Sequence, residues 1–392
     1  MIQITTLPSA TVLEQRWREL AVRSPHSFFL SWPWIGTWLH CIPATIRPEL
    51  LTVYSAGNPV AAAIVVKKTI WRRNVMPVKT WILNATGDRK VDCICTEHNG
   101  LLVSTEHERG VWAEVLEYFL TKENDWDEFR LDGVAPWLAD AWTNKGLPVR
   151  QTRLDVSRFV NLTTIRETSD CSCISFLPSR IRTRLRHTTV GVERRFGRLR
   201  VSEASTALEA LGFLAELKDL HVRRWGGRPN SHAFSRPFFG QFHAELIARY
   251  FPSGLIQLAR VSAGPVTLGF LYNFVYENRV LFYQSGINYA AAERGESIGL
   301  LAHVLLIDRN ARHGRSVYDM LAGDAQYKRA LASFSTQLWW GALQSARLKL
   351  RAEKLAIKSY RRLRTNIRNI LHHEQTEGLT LRRSTLPGRR LG

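Results

Sequence analysis

No apolar run in the 392 residues reaches the roughly 20 needed to carry a helix across a bilayer. The start, Met1-Ile2-Gln3-Ile4-Thr5-Thr6, lacks the positive flank and apolar stretch of a signal peptide. A cytoplasmic protein is expected, with peripheral contact at the inner membrane face as an option. Cysteine is scarce and odd in number, at five, which argues against a disulfide framework. Cys93/Cys95 and Cys171/Cys173 are spaced by one residue, whereas zinc motifs space such pairs by two to four. Val91-Asp92-Cys93-Ile94-Cys95 alternates like a strand, with both thiols on one face. Buried reduced thiols are therefore expected, and no metal. Ser285 lacks a Gly-x-Ser-x-Gly elbow and a His/Asp partner arrangement, so a serine hydrolase is a poor reading. Acidic residues are also few, 34 against 54 Lys and Arg, for a net charge of +20. That excess invites a nucleic-acid or membrane-surface partner.

The length suits two domains, and 45% hydrophobic content can fill two cores. The chain carries a degenerate internal repeat. Leu50–Val66 is strand, turn, strand around Ala56-Gly57-Asn58-Pro59, and Leu255–Tyr276 does the same around Ala263-Gly264-Pro265. Each hairpin is followed by more β pattern, a helix (Glu108–Leu120, then Gly299–His313) and a short strand (Asp127–Asp132, then Ser316–Leu321). The spacing predicts an N-terminal domain over 1–165, a second over 175–345, and a basic helix and tail over 346–392. Ser/Thr/Cys-rich Thr163–Pro178 has the composition of a linker. Ser179–Gly197 suits an amphipathic helix with a basic face, and Ala204–Trp225 and Phe238–Tyr250 suit helices. The aromatic run Phe28–Trp38 fits core packing better than a sugar platform.

Residues 286–328 carry the most chemistry. Gly295, Ser297 and Gly299 precede an apolar-periodic helix through Ile298, Leu300 and Leu301. A helix that opens on small residues leaves its first N–H groups unobstructed, and these suit a diphosphate. The strand that follows ends in Ala322-Gly323-Asp324, where Asp324, Tyr327 and Lys328 cluster. Asp324 can take a proton from an attacking amine or can cap a helix. Asp319, mid-strand among apolar neighbours, needs a partner, either an arginine or a substrate amine. Lys328 can be solvated or meet a phosphate. The equivalent first-half helix begins Thr105-Glu106-His107-Glu108, whose acids repel a diphosphate, so the second half is the catalytic candidate.

The order of these pieces resembles the acyl-CoA N-acyltransferase superfamily, the GNAT fold. It is similar more narrowly to the CelD-like or BioF2-like branch of cellulose and exopolysaccharide biosynthesis, relatives of the Fem transferases. The resemblance rests on Ser297–Leu301, Tyr318–Lys328, Leu220–Trp225 and Phe28–Trp34. It implies an α/β fold of two tandem GNAT-like domains, with mostly antiparallel sheets flanked by helices. It also implies acetyl-CoA or another acyl-CoA as co-substrate and a small-molecule or saccharide amine as acceptor. Tyr327 would protonate the departing thiolate. His221, Arg224 and Trp225 match the branch's helix-end pattern and would face the acceptor. Tyr283, Gln284 and Ser285 would lie on a splayed strand that meets the acyl group. One departure is the pyrophosphate loop Gln/Arg-x-x-Gly-x-Gly/Ala, replaced here by Glu293–Gly299. Two rivals stand beside this expectation. One is a Fem-like aminoacyl-tRNA-dependent transferase; the other is a non-catalytic protein binding RNA or a membrane surface. Either partner would be engaged through the basic C-terminal region.

Overall fold

The alternation seen in the sequence becomes one sheet shared by both halves. The structure, a computed structural model, describes residues 1–226, 232–357 and 359. Met1–Leu343 form one compact unit and Gln344–Gly392 a second. The first half runs β1 (Ile2–Thr6), α1 (Ala10–Ala21), α2 (Trp32–Cys41), β2 (Pro48–Ser55), β3 (Asn58–Arg72), β4 (Met76–Leu83) and β5 (Leu102–Val103). It continues with α3 (Glu108–Thr121), β6 (Glu128–Val134), α4 (Trp137–Asn144) and β7 (Val149–Asn161). The second half runs α5 (Leu162–Arg166), α6 (Ser179–Phe196), β8 (Leu199–Glu203), α7 (Ala207–Trp225), α8 (Pro237–Tyr250), β9 (Ile256–Ala263) and β10 (Val266–Tyr276). It ends with β11 (Arg279–Ile287), α9 (Ile298–Arg312), β12 (Val317–Ala322), α10 (Gln326–Leu331) and β13 (Phe334–Gln344).

The expected hairpins are β2–β3 and β9–β10, both antiparallel. In the second, a Cβ on Gly264 would stand 1.9 Å from the Phe196 carbonyl oxygen, so only glycine fits the turn. The repeat extends further. β4 pairs β6 in parallel just as β11 pairs β12, and α3 and α9 are the respective crossover helices. Strand order is β1-β2-β3-β4-β6-β13-β7-β12-β11-β10-β9-β8, with β5 on β3. The halves therefore exchange their last strands. β7, from the first, lies against β12, while β13, from the second, lies beside β6. The two exchanged strands pair antiparallel with each other from Phe334↔Phe159 to Leu343↔Val149.

Three apolar clusters cover this sheet. In one, Phe28, Phe29 and Trp34 from the first half pack with Phe242, Leu246 and Phe274 from the second, and Phe28 stacks on Phe274 at 4.3 Å. The aromatic run is core, as its composition suggested. The second cluster lies beneath α9 and the third beneath α3.

Two local expectations differ from the structure. Residues Asp92–Ile94 form a 3-10 turn and Cys95 adopts φ +49, so the Cys93/Cys95 alternation is no strand. The Asp92 carboxylate accepts from the amides of Thr86 and Gly87 and from the Thr86 hydroxyl, which folds the segment into a loop. Nor is Thr163–Pro178 a free linker. Ile165, Cys173 and Leu177 are buried in the second cluster, and Asp308 accepts from the Cys173 amide at 2.6 Å and the Ser172 hydroxyl at 2.8 Å. Residues 348–357 are helical, matching the start of the basic helix expected from Arg347. The rest of that helix and the tail lie outside the described residues, 359 apart, as do residues 227–231.

Candidate active site

The parallel pairing of β11 and β12 lasts only three residues: Arg279↔Val317, Val280↔Tyr318 and Leu281↔Asp319. Beyond it both strands continue unpaired with each other, leaving a gap in the sheet. Each is irregular at that place. On β11, Tyr283 is an extra residue in the register with β10, which pairs Tyr272 with Gln284 but Asn273 with Phe282. On β12, the register with β7 breaks between Asp319 and Ala322, and Leu321 takes φ +55. A left-handed leucine is strained unless its surroundings hold it.

A cavity of 330 Å³ borders the gap. Ser297, Ile298, Gly299 and Leu300 at the start of α9 form one wall, with Ser285 and Ile287 from β11. Gln326 and Tyr327 of α10 and Arg184 of α6 face them. No side chain caps α9, so the first-turn amides remain as donors toward the cavity. Two arginines, Arg195 and the loop's own Arg294, balance the two acids of the loop in charge, and Arg195 pairs with Glu296 at 2.6 Å and Glu293 at 3.0 Å. The hydrogen bond from Arg195 holds the Glu296 carboxyl below its usual range. A loop with two glutamates thus presents little net negative charge to an anion, while Arg184 adds a cation.

Tyr327 stacks on His303 with centroids 4.9 Å apart and planes at 18°. Burial raises the Tyr327 hydroxyl well above its usual range, so it stays protonated. Burial pulls His303 down to about 3, with a smaller contribution from the Lys328 charge, leaving a neutral imidazole one turn into α9. Sequence reasoning missed His303 because a histidine on an apolar helix face reads as core. Its spacing of six from Ser297 and four from Gly299 was the available signal.

The structure separates other residues that the sequence grouped. Asp324 does not line the cavity. It pairs with Arg158 at 2.6 Å and Arg329 at 3.1 Å, and it caps nothing, since the residue before α10 is Ala325. Lys328 is buried rather than solvated, and does not line the cavity either. Its ammonium donates to the Leu321 carbonyl at 3.0 Å and the Ala322 carbonyl at 2.7 Å, tying down the irregular end of β12. Burial lowers its pKa. The Tyr283 hydroxyl donates to the Ile94 carbonyl and sits 3.2 Å from His243 Nε2, on the side of the first core cluster. Gln284 Oε1 accepts from the Ser285 amide at 3.0 Å. His221 Nδ1–H donates to the Ser285 carbonyl at 3.3 Å, so this helix-end histidine steadies β11 from behind. Arg224 lies 5.1 Å over the rings of both Trp225 and Tyr289, and Tyr289 lines the cavity. Gly295 takes φ +89, a turn requirement, whereas a Cβ on Gly299 would meet nothing closer than Ile287 Cγ1 at 3.6 Å.

Asp319 finds partners rather than solvent. It accepts from the Ser157 hydroxyl and the Leu321 amide, each at 2.8 Å, and lies 3.2 Å from His98 Nε2 and 3.8 Å from Arg279. Burial pulls His98 down, but the Asp319 hydrogen bond and charge outweigh it, for a net rise. The neighbouring Glu97 accepts from the Ala322 amide at 2.6 Å, and burial pushes its carboxyl up. So a first-half loop, Glu97-His98, reaches the edge of the second half's gap. Nothing in its local sequence reveals that; only the exchanged sheet brings it there.

Residues 179–329 match the family described as an acetyltransferase (GNAT) domain. This domain contains α6 through most of α10, hence the cavity and both irregular strand ends. No curated protein matches the chain. Among solved structures, it is similar to FemX, with a TM-score of 0.52 at 10% identity over 86% of this chain and 96% of that one. It is also similar to the C-terminal domain of an Agrobacterium fabrum protein described as a lysylphosphatidylglycerol synthetase, at 0.52 and 13% identity over 86% and 93%. A tandem GNAT protein from the clavulanic acid biosynthesis pathway aligns at 0.47 and 12% identity over 88% and 98%. At these identities the first two likenesses are ones of fold. The chain is thus a mixed α/β protein with a mostly antiparallel sheet and a GNAT-type domain in its second half.

Proposed function

We propose that the protein is an acyl-CoA-dependent N-acyltransferase of the CelD-like or BioF2-like kind. It would transfer an acetyl or similar group to an amine on a sugar, polysaccharide precursor or other small metabolite. The observation that carries this is the gap between β11 and β12 with the 330 Å³ cavity beside it, floored by uncapped helix amides. The first-turn amides of α9 and Arg184 would hold the diphosphate. The stretch Gln284–Gly286, paired with β10 but not with β12, would offer backbone groups on its open side to the acyl arm. An acyl-CoA supplies the activated thioester. Tyr327, protonated and at the cavity wall, donates its proton to the leaving sulfur. Glu97, at the strand edge bordering the gap, takes the amine's proton in place of Asp324, which two arginines already hold.

Acetyl-CoA titration by calorimetry, followed by turnover with a panel of amines, tests this. Tyr327→Phe and Glu97→Gln should each lower kcat by about 10²–10⁴ with acetyl-CoA affinity kept. Asp324→Asn should stay near wild type. Absence of acetyl-CoA binding would remove the donor assignment.

The Fem-like reading, with an aminoacyl-tRNA donor, gains from the charge of +20, because tRNA binding is dominated by phosphate contacts. Salt-sensitive tRNA binding in the same range as acetyl-CoA binding, competitive with it, would favour that donor.

A further inference from the structure

The internal repeat gives the first half a counterpart of the donor cavity, and its chemistry is reversed. α3 stands where α9 does and α4 where α10 does, each flanking a parallel strand pair. The counterpart is a cavity of 440 Å³, bordered by Glu108 and Trp112 of α3 and by Trp137 of α4. The β10–β11 turn, with Tyr276 and Glu277, closes its other side. Where α9 opens on serine and glycine, α3 opens on a carboxylate.

We propose that this cavity binds a small organic ammonium ion with a ring body, an amino sugar being the type. Its charge balance is the first support. Asp319 at the floor is matched by His98 and Arg279, and Arg279 also lies 5.6 Å over the Phe159 ring. Glu108 and Glu277 at the rim have no ion-pair partner among the described residues. In a chain with 20 more cations than anions, two unpaired carboxylates facing one cavity are a local inversion of sign. An acid at the start of a helix is favoured by the dipole alone, which accounts for Glu108. Glu277 is exposed in the β10–β11 hairpin turn at φ +45, which places it at the cavity rim. The walls are the second support. Trp137 leaves 46% of its surface exposed at the lip, while Trp112 is buried and the Tyr276 hydroxyl is held by His26 at 2.6 Å. Rigid aromatic faces beside carboxylates suit a cation carried on a ring, by stacking and cation–π attraction. The cavity does not depend on the donor assignment, and its occupant is opposite in charge to a diphosphate.

Calorimetry on the full chain at mildly acidic pH tests it, with benzylamine and glucosamine as cations and N-acetylglucosamine as the neutral control. Both cations should bind saturably, and N-acetylglucosamine about tenfold more weakly or not at all. The double variant Glu108→Gln/Glu277→Gln should lose about tenfold for the cations, and Trp137→Ala a comparable amount. All three side chains are exposed, so melting temperature and acetyl-CoA affinity should not move; these readings separate lost binding from lost fold. Equal affinity for the neutral sugar, unchanged affinity in the double variant, or no saturable heat with either cation overturns the proposal.

Discussion

Gly295 and Gly299 lie four residues apart and serve different ends. Gly295 holds φ +89, where a side chain is strained whatever space surrounds it, so Gly295→Ala should cost about 1–2 kcal/mol of stability. Gly299 is helical with room for a Cβ, so Gly299→Val should melt near wild type yet bind acetyl-CoA far more weakly. Its branched side chain would stand over the amides of the first turn. Thermal melting and calorimetry on the two variants separate the roles, and a folded Gly299→Val with unchanged affinity would move the site elsewhere. His303 gives a pH test. Its folded pKa is pulled to about 3, as is that of fully buried His243, while in the unfolded chain both titrate at an ordinary value near 6.5. As pH falls from there toward 3, the unfolded state takes up protons that the native state refuses. Stability therefore falls with pH, by up to about 1.4 kcal/mol per unit for each histidine. His303→Leu should show a shallower loss between pH 6.5 and 4 in urea titrations; an unchanged slope would mean the imidazole is charged in the native state.

At the level of elements, the sequence carried the pieces but not their exchange. Periodicity placed α6, α7, α8 and α9 within a few residues, because each has an apolar stripe and a glycine or proline near an end. The hairpins were legible from their turns, and the small-residue start of α9 was legible as one wall of the cavity. Which half each edge strand would join was not. β7 and β13 carry side chains compatible with either neighbour, and the choice is made by long-range pairing that no local pattern records. The same limit hid Glu97 and His98, and it explains why Asp324 read as a catalytic acid–base group and Lys328 as a phosphate contact. Polar residues after a strand have the same spelling whether they serve a substrate or tie down the strand's end. Strand exchange also makes a prediction. Residues 1–165 alone would leave β6 without β13 and β7 without either neighbour, and would expose Phe28 and Trp34, which pack on the second half. Unpaired edges of this kind favour aggregation. Neither 1–165 nor 166–345 should yield a monomer with a cooperative melt, and co-expression of the two should restore one. A folded, monomeric 1–165 would show that the exchange is not needed for folding.

On the scale of the whole molecule, the charge is concentrated at one end. Residues 346–392 contain thirteen lysines and arginines against three glutamates, a net +10 of the chain's +20. No helix among the described residues is long and apolar enough to cross a membrane. Basic residues near an anionic leaflet contribute roughly 1 kcal/mol each and fade with salt, so a run of this size matters even when half is engaged. We propose that this segment recruits the protein to an anionic surface, with a phospholipid leaflet as the first choice and RNA as the competing outcome. The cut that tests it must spare β13, whose Leu343 is fully buried in the third cluster, and so belongs after Ser345. A chain ending there loses Leu350, which is only 2% exposed, so it should melt somewhat lower but still cooperatively, and should keep its acetyl-CoA affinity. It should lose most of its affinity for phosphatidylglycerol vesicles in sedimentation at low salt, a loss that raised salt reproduces in the full chain. Salt-sensitive binding to RNA but not to vesicles, lost on the same cut, would assign the segment to nucleic acid instead. If the shortened chain binds vesicles as before, the charge has no recruiting role. If it unfolds, residues 346–392 are part of what holds the fold, and their cations are its solvated face.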